Sequence, residues 1–104
     1  KEIWNPTITL PSNNTIWVAS SMVVATWNVR DMPNQLENPK GTLLLGYLEP
    51  DSSNEHLNLQ HKLASNFDLK DGSLKFKCPK VEARDDYIVV LFGDSGNHSE
   101  RFSI

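Results

Sequence analysis

The chain has 104 residues, of which 38% are hydrophobic and 9% aromatic, and this is enough apolar material for the core of one compact domain. Its 10 Lys and Arg against 13 Asp and Glu give a formal charge of −3, which disfavours nucleic acid as a partner. The longest apolar run, residues 87–92, is far shorter than the roughly 20 residues that cross a bilayer, so no membrane span is predicted. We expect one monomeric domain over residues 1–104, and the lone Cys78 excludes an intrachain disulfide.

Apolar and polar residues alternate with a period of two in the first third of the chain, as in β-strands. The first predicted strand, Thr7–Leu10, lies between two prolines and is therefore expected at a sheet edge, with Ile8 and Leu10 on one face. A short apolar piece at 15–18 leads to a longer strand at 22–29. The buried face of that longer strand is expected to consist of Val23, Ala25, Trp27 and Val29.

The middle of the chain predicts a central strand and then a half-exposed one. An irregular connection over 30–41 precedes a strand at 42–49, which is apolar on both faces, as in a central strand that is covered on each side or lies near an edge loop. Residues 56–60 alternate strictly and predict a strand with one solvated face. Residues 63–69 are compatible with a further short strand or with an irregular crossing.

The last third of the chain predicts three more strands. Asp71-Gly72 is the sequence of a tight turn, after which Lys75 and Lys77 are expected to point outward and to protect a sheet edge. Residues 87–92 form the strongest predicted strand, and 100–104 the final one. The residues that close the core on these strands are expected to be Leu74, Phe76, Cys78, Phe102 and Ile104.

About seven short strands spaced near ten residues apart, with no helix, predict an all-β fold. The expected architecture is a two-sheet sandwich of immunoglobulin or fibronectin type III character. Tyr87 follows Arg84-Asp85-Asp86 at the start of the penultimate strand. Sandwiches of this kind often place a tyrosine there, and its hydroxyl bonds back to the preceding corner, so we expect a structural role for Tyr87.

Three patterns in the sequence resemble parts of catalytic or metal sites. Residues 93–96, Gly-Asp-Ser-Gly, are similar to the nucleophile segment of chymotrypsin-type proteases, but those enzymes need two barrels and further triad residues, so a turn is expected here. His56 and His61 are five residues apart and face opposite ways on a regular strand. Paired carboxylates such as Asp85 and Asp86 are typical of solvated turns. The sequence therefore predicts no enzyme, no metal site and no cofactor.

Two groups of residues are candidates for glycan binding. An exposed indole stacks on the apolar face of a sugar ring, so Trp4 and Trp17 are candidates, whereas Trp27 fits a core position. The polar side of the 56–60 strand carries groups that pair with sugar hydroxyls, namely His56, Asn58 and Gln60. The alternatives are a place in the core for Trp17 and an ordinary solvated sheet face for the polar strand.

Two sequons, at residues 13–15 and 97–99, make Asn13 and Asn97 candidate N-glycosylation sites in polar, turn-like stretches. Random placement of the Asn, Ser and Thr residues of the chain predicts about as many sequons, so their presence alone does not indicate secretion.

Four segments of the chain resemble one known domain type: Pro11–Trp17, 25–28 (Ala-Thr-Trp-Asn), 46–48 (Gly-Tyr-Leu) and Arg84–Ile104. The sequence is similar to the N-terminal domain of fungal Ser/Thr-rich glycosylphosphatidylinositol-anchored cell-wall proteins, which is shared with yeast β-1,6-glucan synthesis proteins. The similarity covers nearly the whole chain and is most telling over residues 86–97 together with 102–104.

This resemblance implies a secreted, glycosylated, non-enzymatic β-sandwich that is extracellular, in the cell wall or at a lipid-anchored cell surface. It leaves open whether the protein is anchored or freely secreted. The first functional hypothesis is a wall-associated module that assembles or binds β-glucan. The alternative is a protein-interaction module, displayed at the fungal surface or secreted toward a host, which would present an exposed apolar patch or a free sheet edge.

Overall fold

The computed structural model describes residues 6–30, 32–33, 40–48, 56–92 and 96–104, and for residues 56–61 and 96 it describes the backbone alone. The strands of this part of the chain are β1 (Ile8–Leu10), β2 (Met22–Trp27), β3 (Lys40–Tyr47), β4 (His56–Asp68), β5 (Ser73–Lys77), β6 (Tyr87–Phe92) and β7 (Gly96–His98). A single 3-10 turn, Leu69–Asp71, is the helical element among the described residues. The prediction of an all-β fold is confirmed.

The strands form two antiparallel sheets. One has the order β1-β2-β5 and the other the order β4-β3-β6-β7. Pairing of β2 with β5 runs from Met22 opposite Lys77 to Thr26 opposite Ser73. Since β4 and β5 belong to different sheets, the turn between them carries the chain from one layer to the other, and the inward side chains of both layers share one core.

β1 lies at a sheet edge, as its flanking prolines predict, but its apolar residues do not share a face. Ile8 pairs with Trp27 and packs against the core, whereas Leu10 pairs with Thr26 and is exposed. The register shifts between them because β1 carries one residue more than β2 over this stretch, which is a β-bulge. The expectation that Ile8 and Leu10 lie on the same face is therefore wrong.

The segment after β1 contacts the end of the chain. Beyond the cis Leu10–Pro11 bond, Ile16 forms a parallel bridge with Ser103. The backbone N–H of Trp17 donates to the Ser103 carbonyl at 2.9 Å, and the N–H of Ser103 donates to the Thr15 carbonyl at 3.1 Å. The N-terminal part of the chain thus pairs first with β2 and then with the C-terminal segment.

The tight turn expected at Asp71-Gly72 is confirmed. The 3-10 turn Leu69–Asp71 is followed by Gly72 in the left-handed conformation, with φ of 72°, which glycine adopts without a steric penalty. Trp27 of β2 holds this turn twice: its indole Nε1 donates to the Leu69 carbonyl at 2.7 Å, and its backbone N–H donates to the Gly72 carbonyl at 2.9 Å. The turn is therefore tied to the sheet that the chain enters next.

β4 joins two segments that the sequence treats separately, 56–60 and 63–69, into the strand His56–Asp68. Its register against β3 shifts at several points, and Asn66 within it has a φ of 59°. At its end, the carboxylate of Asp68 accepts a hydrogen bond from the Lys40 ammonium at 2.7 Å, which lowers the pKa of Asp68. Of the two alternatives for 63–69, the strand is the one observed.

The final strand is shorter and earlier than the predicted one at 100–104. β7 ends at His98, and beyond it an isolated antiparallel bridge joins Phe102 to Tyr87. The ladder is interrupted at Ser99, whose hydroxyl accepts the backbone N–H of Val89 at 3.0 Å in place of a main-chain partner. Phe102 is buried as expected, so the prediction of its burial is confirmed while the strand boundaries are wrong.

Two tryptophans lie in the core. Trp27 is buried, as predicted. Trp17 is 5% exposed and packs edge-on against Phe76, with ring centroids 5.5 Å apart, and against Phe102, with centroids 4.6 Å apart. The other buried residues of this cluster are Ala25, Leu43, Leu45, Leu69, Cys78, Tyr87, Val89 and Leu91.

The central strands of the larger sheet are buried on both faces. Residues 43–45 of β3 and 87–91 of β6 are all buried, which confirms the prediction of a covered central strand. Val29, which the alternation places inward, is exposed instead because β2 ends at Trp27.

Candidate functional site

The outer face of the three-stranded sheet carries apolar side chains that contact solvent. Along β2, Ala25 and Trp27 point into the core, so Met22 and Val24 point outward, and they are 58% and 40% exposed. An exposed Leu10 from β1 lies on the same side because of the bulge in that strand. This face is therefore more apolar than a solvated sheet surface requires.

These residues line a shallow, open groove of about 420 Å³, which we call the β2 groove. Its lining consists of Leu10, Thr15, Trp17, Met22, Val23, Val24 and Lys75. At its edge, the Thr15 hydroxyl accepts the Ser12 backbone N–H at 2.9 Å, which fixes the position of that hydroxyl.

The electrostatics of this face differ from those of the whole chain. Lys75 stands opposite Val24, and Lys77 stands opposite Met22, both exposed on β5. None of the strands β1, β2 and β5 contains an acidic residue, although the chain as a whole has a charge of −3. The β2 groove thus offers an aliphatic surface, hydroxyl groups and positive charge, which suit binding by burial and hydrogen bonding.

Two further apolar residues are exposed just before β2. Ile16 is 74% exposed, and Val18 is exposed as well. Between them Trp17 points into the core, so alternation along this short piece turns both aliphatic residues to solvent.

A second hollow, of about 290 Å³, lies beside the corner that precedes β6. There Arg84 donates to both carboxylate oxygens of Asp86, at 2.7 and 2.8 Å, and its guanidinium carbon lies 3.8 Å from the Tyr47 ring centroid. These hydrogen bonds lower the pKa of Asp86 and raise that of Arg84. Because the two charges are paired bidentately with each other, the corner is built as a structural unit.

Tyr87 completes this corner. Its hydroxyl donates to the Glu82 carbonyl at 2.5 Å, while its ring is buried beside Phe102. Burial also raises the pKa of the Tyr87 hydroxyl, since it disfavours the phenolate. The predicted structural role of Tyr87, with its hydroxyl bonded back to the preceding corner, is confirmed.

Of the candidate glycan-binding residues, Trp17 is the one whose side chain the structure describes. Of the two alternatives for Trp17, the place in the core is the one observed, because Phe76 and Phe102 cover its ring. Trp4 lies outside the described residues. The side chains of the polar strand also lie outside the described part, so their role remains a prediction; these are His56, Asn58 and Gln60.

The two sequon asparagines have different surroundings. Asn13 is exposed in a turn, where the Thr15 backbone N–H donates to the Ser12 carbonyl at 3.0 Å. Asn97 is half-buried, and its side-chain amide donates to the Pro6 carbonyl. Only the first of these is placed like an open surface residue.

Within the part of the chain that the structure describes, the other reactive or metal-binding side chains do not form a cluster. Cys78 is buried with its thiol directed at the Pro79 carbonyl, and burial raises the pKa of that thiol. Residues 93–95 of the Gly-Asp-Ser-Gly segment lie outside the described residues. In the described ranges, no three His, Cys, Asp or Glu residues are grouped so that they could hold a metal ion. The same ranges contain no helix with the length and apolar character of a membrane span.

The β2 groove was not found from the sequence. The signal for it is that β2 has apolar residues on both faces, while its outward neighbours on β5 are lysines. The sequence carries no such signal that Leu10 lines the groove, because a bulge in β1 determines the face on which Leu10 lies.

Comparisons of the chain with protein-family models, with curated proteins and with solved structures give no match.

Proposed function

We propose that the chain is a secreted, non-enzymatic module of the fungal cell wall that contacts β-glucan through the β2 groove. We infer the binding site from the exposed aliphatic side chains of Met22, Val24 and Leu10, which lie beside Lys75. The resemblance of residues 11–17, 25–28, 46–48 and 84–104 to the N-terminal domain of fungal cell-wall proteins supports the location and the class of ligand.

The proposal includes an immunoglobulin or fibronectin type III type of sandwich. If the strands are lettered A, B, C, C′, E, F and G in chain order, B pairs with E in one sheet, and C, F and G lie in that order in the other. In this lettering Tyr87 begins strand F, where sandwiches of this type place their corner tyrosine. Strand order and corner thus both support this architecture.

The chemistry of the groove is compatible with a neutral polysaccharide. A glucan offers C–H surfaces on its rings and hydroxyls that accept and donate hydrogen bonds. The aliphatic side chains of the groove can cover the C–H surfaces, while the Lys75 ammonium and the Thr15 hydroxyl can bond to hydroxyls at its rim. Because the groove is open, a polymer can lie along it without a chain end. Since glucan is uncharged, we expect retention to change little with salt.

The test is retention of the purified domain on insoluble β-1,3-glucan and β-1,6-glucan, with cellulose as a comparison polymer. The groove variant combines Met22→Gln with Val24→Thr, which keeps side-chain size and, at position 24, β-branching. Ile16→Thr is the matched control, since it makes a more exposed aliphatic residue polar outside the groove lining. We expect the wild type and the control to be retained and the groove variant to be released. No retention on either β-glucan, or equal retention of both variants, would contradict the proposal.

The second candidate function is a protein-interaction module. It is favoured by the exposure of Ile16 and Val18 beyond the groove and by Lys75 and Lys77 on an acidic chain. A partner protein that fits this surface would present an apolar side chain to the aliphatic residues and a carboxylate to the lysines. Such binding would weaken with salt and on neutralising Lys77, which lies outside the groove lining, to Gln, whereas β-glucan retention would not.

A further inference from the structure

The two N-glycosylation sequons differ in what the folded chain leaves accessible. Asn13 lies at an exposed turn that begins at Ser12 and ends at Thr15. Its backbone N–H donates to the Glu100 carboxylate at 3.2 Å, which holds the turn without using the side-chain amide. Asn13 is exposed, and among the described residues no hydrogen bond occupies its side-chain amide, so the amide is accessible to a bulky substituent.

Asn97 is placed in the opposite way. Its Nδ2, the atom that a glycan would occupy, donates to the carbonyl of Pro6, and Pro6 is itself buried. Pro6 precedes β1 in one sheet, and Asn97 belongs to β7 in the other, so this bond joins the two layers. A glycan on Asn97 would have to leave from a nitrogen that is held against the carbonyl of a buried residue.

The hydroxyl of the second sequon is also engaged. Ser99 is 3% exposed, and its hydroxyl accepts the Val89 N–H and donates to the Glu100 carbonyl at 2.8 Å. The hydroxyl of Thr15 in the first sequon also has a partner, the Ser12 backbone N–H at 2.9 Å, but Thr15 is only half-buried, at the rim of the β2 groove. The segment 97–99 therefore links the two sheets through the Asn97 amide, and through the Ser99 hydroxyl it supplies a hydrogen-bond partner for Val89 where the β-ladder is interrupted.

We propose that the folded, secreted protein carries an N-linked glycan on Asn13 and none on Asn97. The modification is transfer of an oligosaccharide from a lipid diphosphate. Nδ2 of Asn13 attacks the anomeric carbon, the C–N bond forms as the C–O bond to the diphosphate breaks, and the amide loses one proton as the lipid diphosphate leaves. This inference rests on the proposed function only in that the chain must pass through the secretory route.

Transfer to a chain that has not yet folded does not remove the difference between the sites. A glycan on Asn97 would displace the amide from Pro6, whereas a glycan on Asn13 would extend into solvent. Molecules modified at Asn97 would lose a bond between the sheets and fold less well, so secreted and folded protein is enriched in the form that is modified at Asn13 alone.

The experiment directs the chain into a eukaryotic secretory route with an unrelated leader and purifies the folded monomer from the medium. Peptide N-glycosidase in ¹⁸O-water converts each glycosylated asparagine to labelled aspartate, and mass spectrometry of the peptides locates the label. We expect label at Asn13 and none at Asn97. In addition, Asn13→Gln should abolish the glycan and Asn97→Gln should keep it.

Label at Asn97, or no label at either site, would overturn the proposal. The wild-type peptide map decides between the sites even if Asn97→Gln does not fold. Because the leader supplies the secretory route, failure here would be separate from failure of β-glucan retention, which is measured on unglycosylated protein.

Discussion

Ser99 provides the sharpest test of how the larger sheet is held together, because it replaces ladder bonds where β7 ends. Its hydroxyl accepts the Val89 N–H at 3.0 Å and donates to the Glu100 carbonyl, and its own N–H donates to the Val89 carbonyl at 2.9 Å. Val89 is fully buried. In Ser99→Ala the Val89 N–H would therefore lose its partner at a place that water does not reach.

An unpaired buried donor costs about 1–3 kcal/mol, so we expect Ser99→Ala to lower the free energy of unfolding by about 2 kcal/mol. For a domain of this size each kcal/mol corresponds to roughly 4–8 °C, which predicts a fall in melting temperature of roughly 8–16 °C. The loss of apolar contact is negligible, since the substitution removes one oxygen and no carbon.

The assay is urea unfolding followed by tryptophan fluorescence, because Trp17 and Trp27 are buried and become solvated on unfolding. The midpoint should fall while the slope stays constant. The matched control is Ser21→Ala, which removes a hydroxyl donating to the Val18 carbonyl at 2.6 Å on the exposed surface, where water replaces it. The reasoning is refuted if Ser99→Ala destabilises no more than Ser21→Ala.

Three further predictions concern the corner before β6 and the turn before β5. Tyr87→Phe keeps the ring and loses the bond to the Glu82 carbonyl, so chemical unfolding should show a loss of about 1 kcal/mol. The hydrogen bonds from Arg84 lower the pKa of Asp86, so the stability that this carboxylate contributes is present above its unfolded pKa, about 3.9, and is lost as the pH falls through its folded pKa. When the free energy of unfolding is measured against pH, Asp86→Asn should therefore show a smaller loss of stability in acid than the wild type. Gly72→Ala places a side chain at φ of 72° and should cost about 1–2 kcal/mol in melting experiments.

The sequence pattern predicts strands well where one face of a strand is buried and the other is wet. Ala25 and Trp27 on β2, and Phe76 on β5, lie inward as the period of two requires, and Lys75 and Lys77 lie outward. For such strands the register is determined by burial, since a slip of one residue would turn every apolar side chain to solvent.

The pattern fails where an interruption of the ladder changes the face. Leu10 is exposed because β1 contains a bulge, and the final strand ends early because Ser99 replaces a main-chain partner. Trp17 could not be placed from alternation, since Ile16 and Val18 on the other face are equally apolar. Its burial follows from pairing with Ser103, a contact between residues far apart in the chain.

The site was harder to predict than the fold, because a binding surface departs from the polarity that folding alone favours. The central strands β3 and β6 are apolar on both faces and are covered on both, whereas β2 is apolar on both faces and is covered on one. Since Met22 and Val24 make the outer face without packing in the core, making them polar should change the free energy of unfolding by no more than about 0.5 kcal/mol. Equal urea midpoints for the groove variant and the wild type would then assign any loss of β-glucan retention to the groove and not to unfolding, whereas a lowered midpoint would show that these side chains serve the fold.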